Sequence, residues 1–193
     1  MFTGIIKETG LITQVNQHEL IINVGSELFS DLPLQSSVAL NGKVLTLVDK
    51  FSINDQFCLK FHLHSLSSFR ANTRVNLERA VRLGEEISSS LFLGIPSGRC
   101  QLISLIHESE TSVLFEVVWE DVLLKYLDPK DLVCLDGVLL MINKIEERVL
   151  SLGIYEETLK LTNLGERRVG DWLNIEMEPM VKKLAQILEK KFI

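Results

Sequence analysis

No apolar run in these 193 residues approaches the ~18 needed to cross a bilayer as a helix. The N-terminal stretch Met1-Phe2-Thr3-Gly4-Ile5-Ile6-Lys7-Glu8 also lacks a basic region ahead of an apolar core. The expectation is a soluble, cytoplasmic protein with no membrane partner. Cations are the minority charge, 20 Lys and Arg against 26 Asp and Glu for a net charge of −6. No basic stripe is available to displace phosphate counterions, which argues against a nucleic-acid partner. The three cysteines, Cys58, Cys100 and Cys134, are an odd number at spacings that fit neither a disulfide framework nor a zinc site. Each reads as a small buried hydrophobe. His62 and His64 share one face of a strand, but no third ligand accompanies them, so no metal is expected. A glycine-rich phosphate loop, a nucleophile elbow and paired catalytic carboxylates are all missing.

What is present is a repeat. Shifted by 90 to 98 residues, the chain matches itself in blocks that keep their order. Met1-Phe2-Thr3-Gly4-Ile5 falls on Leu91-Phe92-Leu93-Gly94-Ile95, and Val38-Ala39-Leu40-Asn41-Gly42 on Val133-Cys134-Leu135-Asp136-Gly137. His64-Ser65-Leu66 falls on Glu157-Thr158-Leu159, and Val75-Asn76-Leu77-Glu78 on Leu173-Asn174-Ile175-Glu176. A unit this long exceeds a solenoid repeat, so each copy should bury its own core.

Within each copy, short runs alternate with period 2, as in Phe57, Leu59, Phe61 and Leu63 or Val113, Phe115 and Val117. Turn signals recur about every ten residues, among them Asn41-Gly42, Asn54-Asp55, Asp136-Gly137 and Gly170-Asp171. The pattern predicts an all-β chain of two tandem six-stranded antiparallel Greek-key barrels, over residues 1–86 and 87–177. Residues 28–32 and 122–127 suit one-turn or two-turn helices at equivalent points. Residues 178–193 carry Met180, Val181, Leu184, Ile187, Leu188 and Phe192 at helical spacing behind Pro179. Such an appended helix should pack on another subunit, packing across its own barrels being the alternative.

The repeated blocks are also those by which the chain resembles the riboflavin synthase family. The opening Met1-Phe2-Thr3-Gly4-Ile5-Ile6 is similar to that family's start, and Ser37 to Gly42, Leu45-Thr46 and Val75 to Ala80 to its first barrel. Glu157 to Gly165 and Gly170 to Glu176 match its second. The resemblance implies a homotrimer that joins two molecules of 6,7-dimethyl-8-ribityllumazine. One lumazine passes a four-carbon unit to the other, yielding riboflavin and a ribitylaminopyrimidinedione. No cofactor is implied, and lumazine synthase is a partner worth testing. Against the family pattern, His64-Ser65 replaces a Glu-Thr pair, Lys43-Val44 a cysteine, and Leu139-Leu140-Met141 a Ser-Leu-Thr, while Ser88-Ser89-Ser90 and Gly94-Ile95-Pro96 stand where junction histidines belong. A non-catalytic lumazine-binding or flavin-binding protein of the same family is therefore the alternative.

The resemblance places Val44, Leu45 and Thr46 around the first half-site, with Gly4, Ile5 and Ile6 offering backbone groups to the ring. Around the second it places Lys125 and the strand end of Gly153, Ile154, Tyr155, Glu156, Glu157 and Thr158, and it adds His64, Ser65, Gly94, Ile95, Leu139 and Met141 to the substrate-binding residues. Phe2, Ser37 and Glu178 are its catalytic candidates. Each has a plainer reading too: Phe2 as a core anchor, Ser37 as a turn residue, Glu178 as a helix-start carboxylate and Glu157 as a solvated charge.

Overall fold

A computed structural model describes residues 1–63, 69–87 and 90–191. Strands β1 (Glu8–Val15), β2 (Glu19–Val24), β3 (Ser37–Leu40), β4 (Lys43–Ile53), β5 (Gln56–His62) and β6 (Arg74–Arg79) close into an antiparallel barrel in the order β1-β2-β5-β4-β3-β6. Helix α1 (Ser26–Asp31) bridges β2 and β3. The second barrel repeats this cycle with β7 (Gly98–His107), β8 (Ser112–Val118), β9 (Leu132–Leu135), β10 (Val138–Glu146), β11 (Val149–Tyr155) and β12 (Trp172–Met177). A 3-10 turn at Val122–Tyr126 stands where the first barrel has α1.

Alternation dictates which face goes inward. In β8, Val113, Phe115 and Val117 are buried while Leu114, Glu116 and Val118 are half-buried. Closure needs local coiling, and the irregularities recur in step: Ile12/Gln14 in β1 answers Leu102/Ser104 in β7, and Leu47/Asp49 in β4 answers Ile142/Lys144 in β10. The hairpins Asn41-Gly42 and Asp136-Gly137 hold both residues at positive φ, 46° and 72° in one and 45° and 80° in the other. This is the two-residue turn whose twist matches the strands, and Asn, Asp and Gly tolerate it best.

Each barrel has its own core. Ile12, Ile22, Leu47, Leu59 and Phe61 fill the first, and Leu102, Phe115, Val117, Ile142 and Leu152 the second. Ile6, which precedes β1, belongs to the second core. The N-terminal segment thus crosses over to the neighbouring barrel.

One expectation needs correction. Glu157 and Thr158 do not end a strand: β11 stops at Tyr155 and α2 (Glu156–Leu161) follows. Glu156 and Glu157 sit in the first turn, where a helix favours negative charge, and Glu156 pairs with Lys160 one turn on at 2.7 Å. The tail, α3 (Pro179–Lys191), packs on its own chain. Ala185 is buried in the second core, Val181 lies against it, and the Tyr126 hydroxyl donates to Glu189 at 2.5 Å. Met180, Leu184, Ile187 and Leu188 are left exposed.

Candidate functional site

An approximate two-fold runs between the barrels. Phe2 and Phe92 exchange both backbone hydrogen bonds, at 2.9 and 2.8 Å, and both rings are buried. Nearby, the Asn41 turn meets the Asp136 turn so closely that a Cβ on Gly42 would stand 2.9 Å from the Gly137 nitrogen. Asn76 and Asn174 complete the symmetry: the Asn76 side-chain amide donates to the Asp136 carbonyl, and that of Asn174 to the Asn41 carbonyl, both at 2.9 Å.

The same two-fold builds two matching outer faces, each bordered by a crossing segment. In the first barrel, Ser37 lies directly opposite Thr46 across β3 and β4, so both exposed hydroxyl side chains share the outer face. Val44 precedes them on that face, and its N–H donates to the Gly94 carbonyl at 2.8 Å. The rim beside it is the crossing segment around Gly94 and the exposed Ile95. In the second barrel, Leu139 occupies the place of Val44 and donates to the Gly4 carbonyl at 2.9 Å. Met141 and Tyr155 are exposed on this outer face. At Gly153 a Cβ would meet the Asn143 side chain at 3.0 Å, so a larger residue there would have to displace that amide. The exposed Ile5 forms the rim.

This arrangement sets which outer face each crossing segment borders. Gly4 and Ile5 belong with second-barrel residues, and Gly94 and Ile95 with first-barrel ones, because each crossing segment pairs with the other barrel's strand. Ile6, Leu45 and Ile154 face the cores, at 7%, 6% and 1% exposure. Phe2 is a buried anchor: a Cβ on Gly94 would come within 2.8 Å of its ring. Glu178 accepts the Val181 N–H at 2.9 Å, which is the helix-start geometry. Lys125 reaches Glu189 on α3 at 2.6 Å, so its ammonium serves the tail contact. Thr158 gives its carbonyl to the Thr162 hydroxyl, and Glu157 is exposed. His64 and Ser65 lie outside the described residues.

Two carboxylates missed by sequence reasoning hold the crossing segments. Glu78 of β6 accepts the Thr3 N–H and hydroxyl at 2.6 and 2.9 Å and the Gly4 N–H at 3.1 Å. Glu176 of β12 accepts the N–H groups of Leu93 and Ile95 at 3.0 and 3.3 Å. Burial pushes both carboxyls above the usual range, against the pull of these donors. The signal was available in the matched blocks ending at Glu78 and Glu176, which repeat an acid where strand alternation needs none. The three thiols are buried, and desolvation pushes Cys100 up to about 12 and Cys134 well above its ordinary value, so neither is poised as a nucleophile.

Comparison with known proteins agrees with this geometry. Residues 97–178 match the lumazine binding domain model. Riboflavin synthase of Actinobacillus pleuropneumoniae is 29% identical over 99% of this chain and 91% of its own length. That of Bacillus subtilis is 29% identical over 98% and 91%, and that of Escherichia coli 23% over 98% and 92%. Among solved structures, LumP complexed with riboflavin aligns over 92% of this chain and 99% of LumP, with a TM-score of 0.79 at 18% identity. LumP complexed with 6,7-dimethyl-8-(1'-D-ribityl) lumazine aligns with a TM-score of 0.73 at 19% identity. Residues 97–178 thus carry the match to the lumazine binding domain, and the chain as a whole is similar to riboflavin synthases over nearly its full length.

Proposed function

We propose that the protein is a riboflavin synthase, dismutating two molecules of 6,7-dimethyl-8-ribityllumazine into riboflavin and a ribitylaminopyrimidinedione. The observation that carries this reading is the pair of two-fold-related outer faces, each built from one barrel's outer strands and the other barrel's crossing segment, and we take each as a ligand groove. A reaction between two identical molecules calls for two similar half-sites. In a single chain the grooves belong to different barrels, and the reading completes one site from the first groove of one protomer and the second groove of a neighbour in a homotrimer. The exposed stripe of Met180, Leu184, Ile187 and Leu188 on α3 supports such an assembly.

Barrel units of residues 1–86 and 87–177 and a trimerisation helix over 178–193 belong to this proposal, with the qualification that residues 1–6 serve the second barrel. Holding two flat heterocycles face to face can supply up to about 7 to 11 kcal/mol of the barrier. Apolar floors of Val44, Leu139 and Met141 suit that task. Ser37 and Thr46 offer the first groove's hydroxyls, with Ser37 the proton-relay candidate. Glu157 and Thr158 at the head of α2 stand for the second groove's polar edge. Lumazine synthase association and a cytoplasmic location remain part of the proposal; no described helix is long and apolar enough to span a membrane.

The apolar Val44 and Leu139-Leu140-Met141 favour a second reading, a protein that binds lumazine or flavin without transfer. Incubating purified protein with the lumazine separates the two. Sustained riboflavin absorbance with turnover is the expected result, and a bound fluorophore without product would sink the catalytic reading.

A further inference from the structure

We propose that Glu78 and Glu176 are crossed positioning residues, each carboxylate rooted in one barrel and setting the ligand groove of the other. The inference rests on reading the two grooves as lumazine or flavin sites.

The path is continuous in both directions. Glu78 in β6 gathers Thr3 and Gly4, and the Gly4 carbonyl then accepts the Leu139 N–H at 2.9 Å, fixing the start of β10. Leu139 and Met141 of that strand line the second groove. Glu176 in β12 gathers Leu93 and Ile95, and the Gly94 carbonyl accepts the Val44 N–H at 2.8 Å, fixing the start of β4. Val44 and Thr46 line the first groove. Apart from the Phe2–Phe92 bridge, the crossing segments join no strand ladder. Beyond that bridge and the bonds to Leu139 and Val44, these carboxylates are the strand side chains that gather the segments' N–H groups.

A carboxylate is a costly peg at a half-buried or buried position, since removing it from water is penalised and only several donors offset that penalty. An apolar or amide side chain would serve simple packing more cheaply. One rigid carboxylate can instead collect several donors at once, Glu78 with both oxygens and Glu176 with Oε1 alone, and so fix the angle of the segment. The same solution stands at equivalent places in both repeats, though the surrounding residues differ.

The test uses 15N-labelled full-length protein titrated with 6,7-dimethyl-8-ribityllumazine. Val44 and Thr46 amides report the first groove, and Gly153 and Met141 amides the second. Glu78→Gln is expected to raise the dissociation constant of the second groove about tenfold while leaving the first within about twofold. Glu176→Gln should do the reverse. Without ligand, hydrogen exchange at the Leu139 N–H should quicken in Glu78→Gln, and at the Val44 N–H in Glu176→Gln. Thr3→Val removes the hydroxyl's bond to Glu78 and its acceptance of the Ile5 N–H at 3.3 Å while the carboxylate keeps its two N–H donors, and it should act in the same direction as Glu78→Gln more weakly, so the inference stays testable if a glutamate variant folds poorly. Losses confined to the variant's own barrel, or equal in both grooves as general destabilisation would give, overturn the proposal while wild-type binding stays normal. Wild-type protein that binds neither lumazine nor riboflavin sinks the functional reading and this proposal together.

Discussion

The first barrel closes its central knot with amides, the second with an ion pair. Asn41 accepts the Asn76 N–H at 2.8 Å and the Asn163 side-chain amide at 3.0 Å. At the equivalent turn, Asp136 accepts the Asn174 N–H at 2.9 Å and the Arg167 guanidinium at 2.5 Å. Burial pushes the Asp136 carboxyl up, and Arg167 is the strongest pull the other way. The turn itself requires only positive φ and an acceptor oxygen, which Asn and Asp both supply. Geometry is thus kept while charge drifts. Both Asn163 and Arg167 come from the second half, so that copy completes the knot for both.

The largest expected effect breaks this contrast. Arg167→Leu leaves Asp136 buried without its counter-ion and should cost about 3–5 kcal/mol. Asn163→Ala removes a neutral donor and should cost about 1–3 kcal/mol, because Asn41 keeps its bond to Asn76. Urea unfolding of the two variants measures the difference. Equal losses would mean that the two knots are energetically alike despite their charge.

Next come the crossing glycines. Gly4 and Gly94 sit at φ 75° and 72°, and alanine there should cost about 1–3 kcal/mol in backbone strain alone. A Cβ on Gly4 would meet Leu139 Cβ at 2.7 Å and its backbone nitrogen at 3.1 Å, whereas on Gly94 it would meet the Phe2 ring at 2.8 Å. A strand yields less than a ring edge, so thermal melting should show Gly4→Ala as the more damaging of the pair. The reverse order would place the firmer contact at the Phe2 side.

These cases also mark what sequence alone could reveal. Alternation such as Val113, Phe115 and Val117, with Asn-Gly and Asp-Gly turns, is local chemistry, and it carries both barrels and their register. The repeat of Gly4 and Gly94 was equally visible. What local pattern could not carry was which barrel each glycine serves, because the crossing is a long-range choice fixed by Glu78, Glu176 and the Phe2–Phe92 bridge. Glu157-Thr158 was misplaced onto a strand for a related reason: its resemblance to Glu-Thr-Leu said nothing of the backbone it rides on. Ser37 and Thr46 were both nameable as residues, but their facing positions emerged only from the β3–β4 pairing.

Acidity should separate the carboxylates by sign. Glu78 and Glu176 have folded-state values raised above the unfolded ones, so their contribution to stability is present at low pH and is lost as pH rises through the folded values. Glu85 is held down to about 2, chiefly by its hydrogen bond from Arg79, so its contribution is present above the ordinary carboxyl range and is lost as pH falls toward 2. In melting curves across the acid range, Glu176→Gln should flatten the decline on the rising side, and Glu85→Gln the decline on the acid side. A Glu85→Gln profile parallel to wild type would remove that pair from the account.

The smallest effect is expected where the barrels differ most visibly. Between α1 and β6 the first barrel keeps an open cleft of about 590 Å³ lined by Thr3, Leu28, Asp31, Glu78 and Arg79. The second barrel has α3 against the matching turn, held inside by Ala185 and at the rim by Glu189. Glu189→Gln keeps an oxygen for the Tyr126 hydroxyl and removes only the pair with Lys125, whose side chain is 60% exposed. Solvent screens an exposed pair of this kind, so the melting temperature should fall by no more than about 4 °C. A larger fall would mean that α3 is held by its rim rather than by Ala185 and Val181. The second barrel would then differ from the first by a detachable cover rather than by an extension of its core.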